Sequence, residues 1–267
     1  MNIKVIIIVI SLLISFKQSF SQDSIPDVIW SIEFDNQIAY DAKFSPDGTI
    51  IAHGLDEYIQ IRDAETGELL KQYDKLWHGG WPVKNIEFSP DSKYLFTGAG
   101  HFGESDCPYI RMWDLAADSI LRTFYSNNEY NEKRSIMSMD ISPDGLKIAA
   151  IVGAVEALPT AYLYVWDVST TEIISEVNLE NNGALLEFSE DGQYIAIARG
   201  NCIDILDSET FKYAGSLGCH DQRVNDIAFS PKGKLFCSSG EDRVIRIYDM
   251  VNDTILKLFT NKPRLAM

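Results

Sequence analysis

From about residue 29 to residue 260 the chain is written in short runs where apolar and polar residues alternate, each cut by a polar turn. Val224-Asn225-Asp226-Ile227-Ala228-Phe229 and Lys234-Leu235-Phe236-Cys237-Ser238 are typical. A period of two over such short runs predicts half-buried β-strands. The turns repeat as well. Phe44-Ser45-Pro46-Asp47-Gly48 returns as Phe88-Ser89-Pro90-Asp91-Ser92 and Ile141-Ser142-Pro143-Asp144-Gly145. It returns again as Phe188-Ser189-Glu190-Asp191-Gly192 and Phe229-Ser230-Pro231-Lys232-Gly233. Pro presets φ, Asp bonds its own backbone, and Gly accepts the positive φ of a tight hairpin.

A third strand follows each pair and ends in Asp: Tyr58 to Asp63, Ile110 to Asp114, Tyr162 to Asp167, Cys202 to Asp207, and Val244 to Asp249. A fourth completes each unit: Glu68 to Tyr73, Ser119 to Tyr125, Glu172 to Val177, Phe211 to Leu217, and Thr254 to Thr260. Four short strands, repeated, predict a β-propeller with blades about 38–75, 82–126, 135–178, 182–218 and 223–260. One blade cannot bury both its faces alone, so stacked blades share their cores.

The residues closing the third strands carry a family resemblance. Trp113-Asp114 and Trp166-Asp167 stand where WD-repeat proteins place their signature pair. The fullest copy runs from Cys219-His220 through Ser238-Ser239-Gly240-Glu241-Asp242 to Ile247-Tyr248-Asp249. It resembles the WD repeat, with Cys for the usual Gly and Tyr for the usual Trp. In that family the turn Asp bonds the His, the His bonds a second-strand hydroxyl, and the hydroxyl bonds the Trp. The resemblance therefore implies a structural strut of His220, Ser238, Asp242 and Tyr248, not a hydrolase triad. Blade one has Ala52 and Arg62 at the Ser and Trp positions, and blade four has Gly200 and Leu206 at the Asp and Trp positions. Those two blades are expected to rely on apolar packing and ladder bonds.

The first 21 residues read differently. Lys4 precedes an apolar run from Val5 to Phe16, and Ser19-Phe20-Ser21 supplies small residues before Gln22. That is the layout of a signal peptide, and the run is too short to span a bilayer as a helix. The mature chain would be exported, secreted or periplasmic, with no membrane span after cleavage. The same export puts Cys107, Cys202, Cys219 and Cys237 where disulfides persist. Four cysteines allow three pairings, and spacing alone selects none.

The whole chain has 267 residues and a net charge of −16, which disfavours nucleic acid as a partner. Gly98-Ala99-Gly100-His101-Phe102-Gly103 fits a dinucleotide fingerprint, but no helix follows it. Ala214-Gly215-Ser216-Leu217-Gly218 resembles a nucleophile elbow, but it lies in a fourth strand. The four histidines lack metal-ligand spacing, so neither a metal nor a cofactor is expected. A propeller enzyme would need convergent polar residues near the central channel, and no such set is evident.

Blades two and three each take 25 residues from turn serine to closing Asp, against 18 or 19 in the others. The extra length falls at 98–108 and 152–160. Those loops share a face with Trp77-His78-Gly79-Gly80-Trp81-Pro82 and with residues 125–133. Clustered insertions and exposed aromatics mark a binding face. Trp77, His78, Trp81, His101, Phe102, Tyr125 and Tyr130 are its candidate residues. The expected function is a protein-binding or scaffold module taking a protein or peptide partner; a propeller hydrolase, or a fragment of a larger protein, is the alternative. A strand near Val28 to Phe34 precedes the first repeat. The fifth repeat already holds its own fourth strand, so this orphan strand has no blade to complete. Five blades plus that strand make an open arc or a strained ring, and an open arc invites self-association.

Overall fold

A computed structural model describes residues 29–34, 38–55, 58–74, 83–99, 109–126, 134–154, 161–179, 183–252 and 254–260. Among them there are twenty strands and no helix. Blade one holds β1 (Asp41–Phe44), β2 (Ile50–Gly54), β3 (Tyr58–Asp63) and β4 (Leu69–Asp74). Blade two holds β5 (Val83–Phe88), β6 (Tyr94–Ala99), β7 (Tyr109–Asp114) and β8 (Ser119–Tyr125). Blade three holds β9 (Arg134–Ile141), β10 (Lys147–Ala154), β11 (Ala161–Asp167) and β12 (Ile173–Asn178). Blade four holds β13 (Gly183–Phe188), β14 (Tyr194–Arg199), β15 (Cys202–Asp207) and β16 (Tyr213–Cys219). Blade five holds β17 (Val224–Phe229), β18 (Leu235–Gly240), β19 (Val244–Asp249) and β20 (Thr254–Thr260). Each blade is a four-stranded antiparallel meander in chain order.

Two polar turns fix the register. In the first, Ser45 Oγ donates to Asp47 Oδ1 at 2.6 Å and accepts from Ile50 N at 3.1 Å. Gly48 closes this turn at φ +73° and donates from its N–H to Ser45 O at 2.8 Å. Ser89, Ser142 and Ser189 repeat the pattern with Asp91, Asp144 and Asp191. In the second, the Asp closing each third strand accepts from the amides two and three residues on. Asp63 Oδ1 takes Glu65 N and Thr66 N, and Asp249 Oδ1 takes Val251 N and Asn252 N. The Asp of the repeated pair thus shapes the turn, as an Asx residue does.

The cores lie between blades. Ala52, Ile59 and Ile61 of blade one pack with Val83, Ile86, Phe88, Leu95 and Trp113 of blade two. Blades two and three share a cluster centred on Phe96, Phe124, Tyr164 and Trp166. Blades three and four share Leu163, Val165, Leu186 and Phe188, and blades four and five share Ile203, Ile205, Phe229 and Phe236. First strands β1, β5, β9, β13 and β17 follow one another along the inner edge. The sheets do not close into a ring: among the described residues no strand of blade five packs substantially on blade one.

Residues 29–34 form no strand, which corrects the expected orphan strand; Val28 lies outside the described residues. The segment lies against blade one through its side chains instead. Trp30 Nε1 donates to Ala64 O at 3.0 Å, and its ring sits where a Cβ on Gly67 would lie 2.7 Å away. Phe34 packs on His53 with ring centroids 5.2 Å apart.

Phe188 is 4% exposed between two blades, whereas its counterpart Phe44 is 39% exposed at the free end. Phe188→Ala is expected to cost about 3–5 kcal/mol by denaturant unfolding, and Phe44→Ala well under half of that. Equal costs would show that blade one is covered as fully as the inner blades.

Candidate functional site

The constellation nearest to catalytic chemistry lies in blade five. His220 Nδ1 meets both oxygens of Asp242 at 2.9 Å, and His220 Nε2 meets Ser238 Oγ at 2.8 Å. An ionised carboxylate only accepts, so Nδ1 is the donor towards Asp242. This is the connectivity of a hydrolase triad. Its setting is not. His220 and Ser238 are each 1% exposed, and Ser238 sits in β18 between β17 and β19. An attacking hydroxyl needs room for a tetrahedral adduct and donors for its oxyanion; the sheet leaves no such room. Asp242 also accepts from Asp221 N and Val244 N at 3.1 Å. Although burial opposes its charge, His220 and these amides hold the carboxyl below its usual range. Gly240 is required here, because an added Cβ would lie 2.7 Å from His220 Nδ1 and 2.8 Å from Asp242 Oδ1.

Tyr248 does not complete the strut, contrary to the expectation. Its ring packs on Phe236 with centroids 5.9 Å apart, and it is 3% exposed. Its hydroxyl is buried with no hydrogen-bond partner among the described residues. The reason is reach. In blade two the indole of Trp113 donates sideways to Thr97 Oγ1 at 3.0 Å. A phenol carries its oxygen at the end of the ring, past Ser238. It lines a groove of about 290 Å³ between blades four and five, together with Leu217, Asp249 and Ile255. In blade three Ala150 stands opposite Tyr164 and supplies no hydroxyl, so Trp166 Nε1 donates to Tyr125 O of blade two at 3.0 Å.

Blades one and four depart further than expected. In blade one the hydroxyl position is occupied by His53, not Ala52, since His53 pairs with Gln60 across the ladder. His53 Nε2 meets Gln60 Oε1 at 3.2 Å, Arg62 NH2 donates to the same oxygen at 2.7 Å, and Gln60 Nε2 donates to Gln72 Oε1 at 2.7 Å. A polar network thus replaces the strut, and burial pushes the His53 imidazole down to about 4. In blade four a disulfide joins Cys202 and Cys219 on the paired strands β15 and β16. Asn201 flanks it and holds His220 through its carbonyl, which accepts from His220 N at 2.7 Å, and through Nδ2, which donates to His220 O at 2.8 Å. Cys219 in place of the usual Gly therefore anchors the entry to the strut. Cys237 is a free, half-buried thiol, and Cys107 lies outside the described residues.

A second polar set converges along the inner edge, contrary to the expectation that no such set exists. Asp41 Oδ2 accepts from Ile86 N at 2.8 Å, Asp140 Oδ2 from Phe188 N at 2.7 Å, and Glu187 Oε2 from Phe229 N at 3.1 Å. Each bond crosses from one blade to the next. Ser138 Oγ accepts from Leu186 N at 3.1 Å, and Asn85 Nδ2 donates to Ile136 O at 3.0 Å. Lys43 pairs with Glu87 at 2.6 Å. The signal was present: Lys43, Glu87, Asp140 and Glu187 all stand two residues before a turn serine. Burial, then the charge of Asp140, pushes Glu187 up to about 9. Burial likewise pushes Asp140 up to about 6. These groups serve as fasteners between blades, and among the described residues no His, Cys, Asp and Glu cluster is arranged to hold a metal.

Of the expected recognition residues, Tyr125 is 61% exposed at the end of β8, with its ring 6.0 Å from that of Tyr109. Trp77, His78, Trp81, His101, Phe102 and Tyr130 lie outside the described residues, as do 100–108 and 155–160. Gly98 of the discounted glycine motif lies in β6, and Gly215 lies in β16.

Five antiparallel four-stranded blades in series, joined along their first strands, define a β-propeller repeat protein. A family model described as WD domain, G-beta repeat matches residues 70–114 and 211–249. These two matches, with the WD repeat-containing relatives below, support a WD-repeat family for the chain. It is 32% identical over 124 residues to the uncharacterized WD repeat-containing protein sll1491 of Synechocystis, covering 46% of this chain and 34% of that protein. It is 25% identical over 203 residues to the uncharacterized WD repeat-containing protein C9G1.05 of Schizosaccharomyces pombe, covering 76% and 32%. It is 24% identical over 194 residues to a p21-activated protein kinase-interacting protein 1-like of Xenopus laevis, covering 73% and 47%. The chain thus spans about a third to just under a half of the length of these relatives.

Two outcomes follow for this site. Asp242→Ala is expected to cost about 1–3 kcal/mol of stability, because His220 loses its acceptor inside the sheet. Tyr248→Phe is expected to be neutral or stabilising, since its hydroxyl is already unpaired. Thermal melting of both variants tests this, and a Tyr248→Phe loss as large as that of Asp242→Ala would contradict it. The pH dependence has a definite sign. The raised Glu187 carboxyl keeps a proton that the unfolded chain releases near 4.5. The stability it lends is full below that value and is lost as pH rises through about 9. Melting temperature is expected to fall from pH 6.5 to 9, and Glu187→Gln to flatten the slope while keeping an acceptor for Phe229 N. An unchanged slope would remove Glu187 as its cause.

Proposed function

We propose that the protein is an exported scaffold module that holds a protein or peptide partner on the face bearing the long loops of blades two and three. WD-repeat proteins typically act as protein-interaction scaffolds. One observation carries the reading away from catalysis. The constellation that resembles a nucleophilic triad is sealed inside a β-sheet, with Ser238 and His220 at 1% exposure. A hydroxyl that no substrate can approach stabilises a blade and turns over nothing. The inner-edge carboxylates are likewise engaged, with backbone amides of the neighbouring blade or with Lys43. What remains available is surface. Exposed Tyr125, its ring tilted against that of Tyr109, stands at the foot of one long loop and is the kind of aromatic that anchors an interface. The kinase-interacting name belongs to the Xenopus relative and supports only the class of role.

The remaining recognition residues are proposed from sequence: Trp77, His78, Trp81, His101, Phe102 and Tyr130. Trp77→Ala combined with Trp81→Ala is expected to abolish retention of the partner that co-purifies with the intact chain, with melting unchanged. A double variant that keeps its partner, or that fails to fold, overturns the assignment. Export is tested separately: amino-terminal sequencing of secreted material is expected to begin at Gln22, and a start at Met1 refutes cleavage.

A further inference from the structure

The same joint recurs four times along the arc. At each, two aliphatic side chains of a third strand, the socket, share one buried cluster with the residue before the next blade's turn serine, the plug. Ile59 and Ile61 pack with Phe88, and Ile110 and Met112 with Ile141. Leu163 and Val165 pack with Phe188, and Ile203 and Ile205 with Phe229. All four plugs are 8% exposed or less. A turn contact accompanies the plug. An added Cβ on Gly145 would lie 3.4 Å from the Pro90 ring, and one on Gly192 would lie 3.8 Å from the Pro143 ring. A polar hook is the third element. Asp41 binds its own neighbour Ala42 N through Oδ1 at 2.8 Å and the next blade's Ile86 N through Oδ2.

Each end of the arc carries one half of this joint. At blade five the socket is Ile245 and Ile247, aligned with Ile203 and Ile205 of blade four. Ile245 is 47% exposed. Pro231 is exposed in the turn between β17 and β18. Asp226 stands where Asp41 stands and binds Ile227 N through Oδ1 at 3.0 Å, in the same manner. At blade one the plug is Phe44, which is 39% exposed, and a Cβ on Gly48 would meet nothing within 4 Å. Residues 29–34 cover blade one over Ala64, Gly67 and His53 and leave Phe44 accessible.

We propose that a second copy of this chain completes the joint, with Phe44 of one copy seated between Ile245 and Ile247 of the other. The ends are complementary and different, so the contact is head-to-tail. Turn meets turn, as Pro231 meets Gly48, and Asp226 faces the first strand of the incoming blade. A second copy fits better than an unrelated surface, because each half repeats a joint that this chain already makes four times. The proposal is independent of the recognition face described above.

Light scattering and sedimentation across a concentration series test it. The wild-type chain is expected to reach at least twice the monomer mass. Phe44→Glu and Ile245→Glu are each expected to remain monomeric, with unchanged circular dichroism, since both side chains are already partly exposed. The decisive arm is the mixture. Phe44→Glu keeps its socket and Ile245→Glu keeps its plug, so equal amounts restore one joint and yield a dimer and nothing larger. A wild-type chain that stays monomeric up to its solubility limit overturns the proposal. So does a mixture that stays monomeric, which would mean an isologous contact, or a wild-type monomer that carries a different polypeptide on Ile245.

Discussion

A blade of four short strands presents apolar side chains on both faces, and its stability is borrowed from the blades that cover it. In this chain the cover comes from a repeated plug and socket. The residues before four of the turn serines, Phe88, Ile141, Phe188 and Phe229, each share a buried cluster with two aliphatics of the preceding third strand. Burying such a side chain is worth about 1.5–3 kcal/mol. Four such contacts set the spacing of the blades before any polar group is considered. The proline-to-glycine contacts between turns and the hooks along the inner edge then fix the register of one blade on the next.

The polar groups divide by the same logic. Those within a blade, such as His220, Asp242 and Ser238, tie β18 to the segment that enters β17. Those between blades, such as Asp41, Asp140 and Glu187, accept backbone amides across the joint. Within blades the solution varies. Blade two uses Trp113 with Thr97, blade one a network around Gln60, blade four a disulfide, and blade five the full His and Asp pair. Only the apolar joint is kept throughout. Chemistry that looks catalytic in a list of residues is therefore part of how degenerate repeats stay folded, and function falls to the surface.

Much of this was legible in the sequence. Turn serines recurring every 41 to 53 residues, strands of period two and Asp-closed third strands were enough to set out five blades of four strands. Three features were not legible, each for a physical reason. A period of two assigns residues to faces but does not align strands across a ladder, so Ala52 was matched where His53 stands. The leading segment has strand-like alternation, but alternation fixes only which side chains face a blade, and Trp30 and Phe34 bind blade one through side chains without a ladder. The inner-edge carboxylates look like ordinary solvent-facing positions until first strands of separate blades are brought together. Of the recognition residues, sequence placed Tyr125 on an exposed position, and the other six fall outside the described residues.

The central claim is that cover by neighbouring blades, graded from the middle of the arc to its ends, holds the fold together. Native-state amide hydrogen exchange on the dilute, monomeric chain tests it most directly, because it reports local opening residue by residue. The account predicts the slowest exchange at amides flanked on both sides, such as Ala150 in β10 and Ile197 in β14. It predicts much faster exchange in β1 and in β19, where one face has no blade upon it. Uniform protection across all five blades would contradict it, and would mean that the ends of the arc are closed.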